Sequence, residues 1–109
     1  PTEETMYITG FSIGGLMCRF SSAITLRANT QGSINVGLTM MNNEITGATG
    51  LSVLGGAEVS QGTTITCSGY LTIPYTTTSL SGKLYLSNGE TVSLSIFVNT
   101  MLNSMIGIG

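Results

Sequence analysis

In Leu16-Met17-Cys18-Arg19-Phe20-Ser21-Ser22-Ala23-Ile24-Thr25-Leu26-Arg27-Ala28 the side chains alternate in character along almost the whole run. Leu16, Cys18, Phe20, Ser22, Ile24, Leu26 and Ala28 share one face, and Met17, Arg19, Ser21, Ala23, Thr25 and Arg27 share the other. A period of two belongs to extended chain, whose side chains point alternately to opposite faces, so this is one long half-buried strand, or two with a bend at Ser21-Ser22. Residues 34–41 repeat the pattern, with Ile34, Val36, Leu38 and Met40 inward. Asn42-Asn43 is turn chemistry, because Asn tolerates positive φ at low cost. Short apolar pieces follow at Leu51–Leu54 and Ala57–Val59, separated by Gly55-Gly56.

Residues 64–73 put Ile65, Cys67, Leu71 and Ile73 on one face and Thr64, Thr66, Ser68, Tyr70 and Thr72 on the other. Pro74 has no N–H to give a ladder and ends that strand. Leu84 and Leu86 precede Asn88-Gly89, Val92, Leu94, Ile96 and Val98 follow it, and Met105-Ile106-Gly107-Ile108 is a last short apolar piece. Residues 99–105 admit one helical turn, but no segment sustains a 3.6-residue period. The expected architecture is all-β: a two-sheet jelly roll or sandwich of about eight antiparallel strands. It forms one domain over residues 1–109, with 1–5 as a flexible tail.

Charge is scarce. Three cations, Arg19, Arg27 and Lys83, stand against five carboxylates, Glu3, Glu4, Glu44, Glu58 and Glu90, for 7% charged residues where about 25% is usual in soluble domains. The apolar runs are far shorter than the ~20 residues of a membrane span, so no membrane insertion is expected. A hydrophobic content of 41% with a net charge of −2 is not the signature of disorder. What remains is an exterior of Thr, Ser, Asn and Gly, which loses little desolvation energy when it packs against copies of itself. Three scattered cations cannot neutralise a run of phosphates, so nucleic acid is not an expected partner. None of the asparagines begins Asn-x-Ser/Thr, and Pro1 in place of Met reads as a processed or trimmed start.

The chain has no His, and all five of its acidic residues are Glu. That removes the Ser-His-Asp triad, the Cys-His pair and His-based metal sites. Glu3 and Glu4 fall in the tail, and Glu44, Glu58 and Glu90 sit beside turn signals, where solvated charge is the plain reading. Lys83 reads as ordinary surface. Gly55-Gly56 lacks the following helix and Lys that phosphate cradling requires. The expectation is a chain that is not an enzyme, with no catalytic residue, no cofactor and no metal.

Two readings stand for Cys18 and Cys67, both on inward faces. One is a single disulfide closing a loop of roughly 50 residues, worth on the order of 3–4 kcal/mol. The other is two buried thiols acting as small hydrophobes. An immunoglobulin domain pairs such cysteines over a Trp, which this chain lacks. Met17, Met41, Tyr70, Tyr85 and Phe97 are apolar or aromatic residues on faces that are otherwise polar, which makes them candidates for an oligomer interface.

The run Ser79-Leu80-Ser81-Gly82-Lys83-Leu84-Tyr85-Leu86-Ser87-Asn88-Gly89-Glu90-Thr91-Val92-Ser93-Leu94-Ser95-Ile96 resembles the late strands of C1q/TNF-like jelly rolls. Those carry a Leu, a Gly-acid pair and then alternating apolar residues. Gly14–Leu26 is similar to their early Gly-aromatic strand, and Val36–Ile45 to the strand entering an Asn-containing turn. The likeness spans most of residues 14–98 and is nearest to bacterial and phage members, such as heads of spore-surface filaments and of fibres. Glu90 stands where Asp is usual, and Leu16-Met17 where an aromatic is common. The resemblance implies a homotrimer about a threefold axis and assigns no functional residue.

Pattern and resemblance bear jointly on Asn88-Gly89. A two-residue hairpin loop there sets 84 opposite 93 and points one apolar set at water. A three-residue loop, Ser87-Asn88-Gly89 with Gly89 left-handed, repairs the register by matching 84 with 92. A crossing between sheets removes the conflict differently and fits the resemblance, so the crossing is the expectation. A regular ladder between 84–86 and 90–92 would instead favour an immunoglobulin-like sandwich.

The functional expectation is a trimeric head or decoration domain on a viral, phage or bacterial surface assembly. Its location is then extracellular, on a virion or on a bacterial or spore surface, and its partners are copies of itself and a host-surface glycan or protein. The alternative is a monomeric immunoglobulin-like or pilin-like adhesion module binding a glycan or protein. A capsid protrusion domain, which usually dimerises, ranks third.

Overall fold

The computed structural model describes residues 4–73, 79–98 and 103–108, with side chains described as far as Ser93. Ten strands follow one another: β1 Met6–Ile13, β2 Leu16–Leu26, β3 Gly32–Met41, β4 Glu44–Gly55, β5 Ala57–Glu58, β6 Ile65–Ser68, β7 Leu71–Thr72, β8 Ser79–Leu86, β9 Thr91–Val98 and β10 Asn103–Ile108. Every pairing between them is antiparallel. The hydrogen-bonded path runs β5-β2-β1-β8-β9-β10-β3-β4-β7, with β6 also on β2. This path folds over on itself into a sandwich. One layer holds β5, β6, β2, β1, β8 and β9, the other holds β10, β3 and β4 with β7 at its edge, and β4 returns alongside β6 and β2. Among the described residues no helix is long and apolar enough to cross a membrane.

The core lies between the layers. Ile8, Phe11, Ile13, Leu16, Cys18, Phe20, Ile24 and Leu26 from the first layer meet Ile34, Val36, Leu38, Ile45 and Ala48 from the second. Leu16, Cys18, Phe20, Ile24 and Leu26 on β2 and Ile34, Val36 and Leu38 on β3 are inward as the alternation predicts, whereas Ser22, expected on that face, is exposed, and Ala28 lies beyond the strand. β2 is one continuous strand, with an irregularity of register around Ser21-Ser22. Between the pairs Gly10↔Arg19 and Ile8↔Ile24, β2 inserts residues 20–23 against the single residue Thr9 of β1. Ser21 anchors that bulge: its N–H donates to the Thr64 carbonyl at 2.9 Å, and its Oγ accepts from the Thr64 N–H at 2.9 Å.

Beyond β1 and most of β4, which the sequence reading does not find, three features differ from it. Residues 64–73 form two strands, because the chain leaves β2 at Gly69 and joins β4 as β7. Gly69 has φ +74°, and a Cβ there would run into the Gly15 carbonyl oxygen, so a side chain is excluded on both counts. Residues 103–105, read as part of a helical turn, belong to β10, and 99–102 lie outside the described residues. The crossing expected at Asn88-Gly89 is replaced by a hairpin: β8 and β9 pair directly, with Leu84↔Val92 and Tyr85↔Thr91. The register is that of the three-residue loop. Gly89 is left-handed at φ +89°, the Leu86 N–H donates to the Glu90 carbonyl at 2.9 Å, and Asn88 Oδ1 accepts from the Glu90 N–H at 2.9 Å. A left-handed Gly closing a three-residue loop restores the phase of the apolar sets, so no change of layer is needed.

Candidate functional site

The pairing registers turn the first layer into rows of side chains, because residues directly opposite in an antiparallel ladder point to the same face. One row runs Cys67-Cys18-Phe11-Leu84-Val92 across β6, β2, β1, β8 and β9, and it faces the core. Its neighbours face out. On one side the row reads Thr66-Arg19-Gly10-Tyr85-Thr91, and on the other Ser68-Met17-Ser12-Lys83-Ser93.

Within these outward rows lies a cleft of about 670 Å³, lined by Ser12, Gly14, Ser81, Gly82, Lys83, Tyr85 and Ser93. That volume falls in the range of small-molecule sites, roughly 300–1,000 Å³. Its floor is polar. Ser12 is only 8% exposed, and its Oγ lies 2.9 Å from the Tyr85 hydroxyl, with either oxygen able to donate. Thr9 Oγ1 donates to the Tyr85 carbonyl at 3.2 Å, so the aromatic residue is fixed at backbone and ring tip together. Gly10 stands between Arg19 and Tyr85 in their row and puts no side chain between them.

The electrostatics of this face are one-sided. Arg27 pairs with Glu58 at 3.1 Å, both well exposed, an arrangement that contributes little to stability. Neither Arg19 nor Lys83 is ion-paired among the described residues. Among the described residues no carboxylate lines the cleft. A second cleft, of about 500 Å³, carries the acids instead: Glu4 and Glu90 line it with Tyr7, Leu86 and Asn88. The structure thus brings together two glutamates that the sequence places in a tail and beside a turn. No group of three or more His, Cys, Asp or Glu residues able to hold a metal occurs among the described residues.

The five interface candidates divide. Met17 on β2, Met41 at the end of β3 and Tyr70 between β6 and β7 are exposed at 48%, 69% and 58%. All three lie toward one end of the sandwich: Met17 pairs with Ser68, Met41 with Glu44, and Glu44 with Thr72, so Tyr70 sits on the segment joining the two rows. Tyr85 is half-buried and tied into the polar cleft. Phe97 pairs with Ser79 and Met105 through its backbone, and its side chain lies outside those described. Cys18 and Cys67 are directly opposite each other and joined by a disulfide, S–S 2.10 Å.

Sequence reasoning misses Ser12, because β1 itself escapes it. It also treats Lys83 as plain surface, although the run Ser79-x-Ser81-x-Lys83-x-Tyr85 is a strand face of hydroxyls and one cation. That face was the available signal. No family model matches the chain, and neither a curated protein nor a solved structure matches it.

Proposed function

We propose that this chain is a non-enzymatic structural and binding module displayed outside the cell, on a virion, or on a bacterial or spore surface, where it self-associates as a homotrimeric head or decoration domain. One observation carries the reading: Met17, Met41 and Tyr70, on a chain with 7% charged residues, stand exposed toward the same end of the sandwich. Apolar side chains exposed toward one end of a chain this poor in charge fit a surface that is covered in the assembled state. The disulfide supports an oxidising location, since such bonds persist outside the reducing cytosol. The absence of His and Asp from the sequence supports a role without catalysis.

A second reading, the monomeric immunoglobulin-like or pilin-like adhesion module, is favoured by the β8–β9 hairpin, which keeps both strands in one layer. Sedimentation equilibrium at micromolar concentration separates the two. The trimer reading expects three times the 11.3 kDa chain mass. It also expects Met41→Lys combined with Tyr70→Lys to weaken association at least tenfold while leaving the stability of the dissociated single chain unchanged. A single-chain mass across the concentration range sinks the trimer and leaves the adhesion module.

A further inference from the structure

The geometry points to the cleft between β1, β8 and β9 as a binding site for an acidic saccharide, a polyhydroxylated ring bearing a carboxylate. The inference does not depend on oligomeric state, and it rests on four features of the cleft. Its size suits one or two sugar units, at about 670 Å³. Its lining presents hydroxyls from Ser12, Ser81, Tyr85 and Ser93, each able both to donate and to accept, which is the pattern that sugar hydroxyls need. Its aromatic wall is held in place by the Ser12–Tyr85 hydrogen bond and by Thr9, so ordering it on binding loses little side-chain entropy. Its charge is a cation without a counter-charge: Lys83 is exposed and unpaired among the described residues, and Arg19 stands one row away across Gly10.

Other ligand classes fit less well. An apolar ligand would leave the buried Ser12 hydroxyl and its neighbours facing hydrocarbon. A nucleic acid strand offers a run of phosphates to two cations, too few for backbone binding. A metal ion finds no carboxylate or imidazole among the described residues of the lining. A ring carrying one carboxylate matches one ammonium and four hydroxyls. None of the four described glutamates, Glu4, Glu44, Glu58 and Glu90, lines this cleft.

The test is a titration followed by amide chemical shifts, using a tetrasaccharide of alternating glucuronate and N-acetylglucosamine. Its carboxyl-reduced counterpart and sodium acetate serve as comparison probes. The acidic tetrasaccharide is expected to shift the amides of Ser12, Ser81, Lys83, Tyr85 and Ser93. Lys83→Gln is expected to weaken it at least tenfold, to the level of the carboxyl-reduced probe, with melting temperature unchanged because Lys83 is exposed. Tyr85→Phe keeps the ring and removes the hydroxyl, and is expected to weaken both tetrasaccharides about equally. The inference is overturned if the cleft amides do not move, if the reduced probe binds as tightly as the acidic one, or if acetate displaces the tetrasaccharide at equal concentration.

Discussion

Replacing Cys18 and Cys67 together by Ala is expected to lower the unfolding free energy by about 4 kcal/mol, and the melting temperature by roughly 15–20 °C. The two cysteines are 49 positions apart, and closing a loop of that length restricts the unfolded chain substantially. The magnitude follows from loop length in the chain-entropy account. The folded state loses something specific as well. β6 pairs with β2 over Met17↔Ser68 to Phe20↔Ile65, continued by the Ser21–Thr64 hydrogen bonds, and after Ser68 the chain turns through Gly69 to the second layer as the two-residue β7. Without the bond, amides of 65–72 should exchange with solvent well before those of β1 and β2, by local opening of a weakly paired segment. A melting temperature that moves by less than about 3 °C in the double variant would remove the disulfide from any account of this fold's stability.

How much of this was legible depends on where the alternation stays in phase. Apart from Ser22 at the bulge, β2 and β3 keep their apolar residues in one phase of a period of two, so those inward residues can be read directly, down to Cys18 beside Leu16 and Phe20. β1 loses its phase at Thr9-Gly10, where Ile8 and then Phe11 both point inward across a bulge, and the strand disappears from a pattern search. β4 is broken by Gly47 and Gly50, and its ladder to β3 shifts register twice, so its twelve residues read as a short piece near Leu51. The hairpin at 87–89 shows a different limit. Two-residue and three-residue loops differ by one residue of register, and the pattern alone left the three-residue loop and a layer crossing as equal repairs. The cleft was least legible, because its floor is assembled by topology. Ser12 and Tyr85 are 73 positions apart, and only the placement of β1 between β2 and β8 brings them together.

That placement also couples the core to the site, since consecutive residues on β1 belong to opposite faces. Phe11 is buried beneath the layer, and Ser12 lines the cleft above it. Lys83 and Leu84 stand in the same relation on β8. A change in the core row therefore shifts the backbone that carries the hydroxyl row, with no intervening element to absorb it.

Phe11→Ala is the substitution that tests this most severely, and it is expected to cost about 3–5 kcal/mol of stability. Phe11 is fully buried, its ring centroid lies 5.9 Å from that of Phe20 at 44°, and it sits directly opposite Cys18 on one side and Leu84 on the other. Removing the ring leaves a cavity at the centre of the row Cys67-Cys18-Phe11-Leu84-Val92, where close packing on every side limits collapse. Against a total stability of roughly 5–15 kcal/mol for a domain of this kind, the loss is a large fraction. Tyr70→Ala, which removes an aromatic of similar size from an exposed position, is expected to change the stability of the single chain by less than about 0.5 kcal/mol. Because Phe11 and Cys18 share a contact, their effects should not add. Phe11→Ala in the chain lacking the disulfide should depart from the sum of the two separate losses by about 0.5 kcal/mol or more, the mark of coupled neighbours. Denaturant unfolding of the four chains in that cycle gives the answer. A Phe11→Ala loss no larger than that of Tyr70→Ala would mean that the row is not the centre of the core.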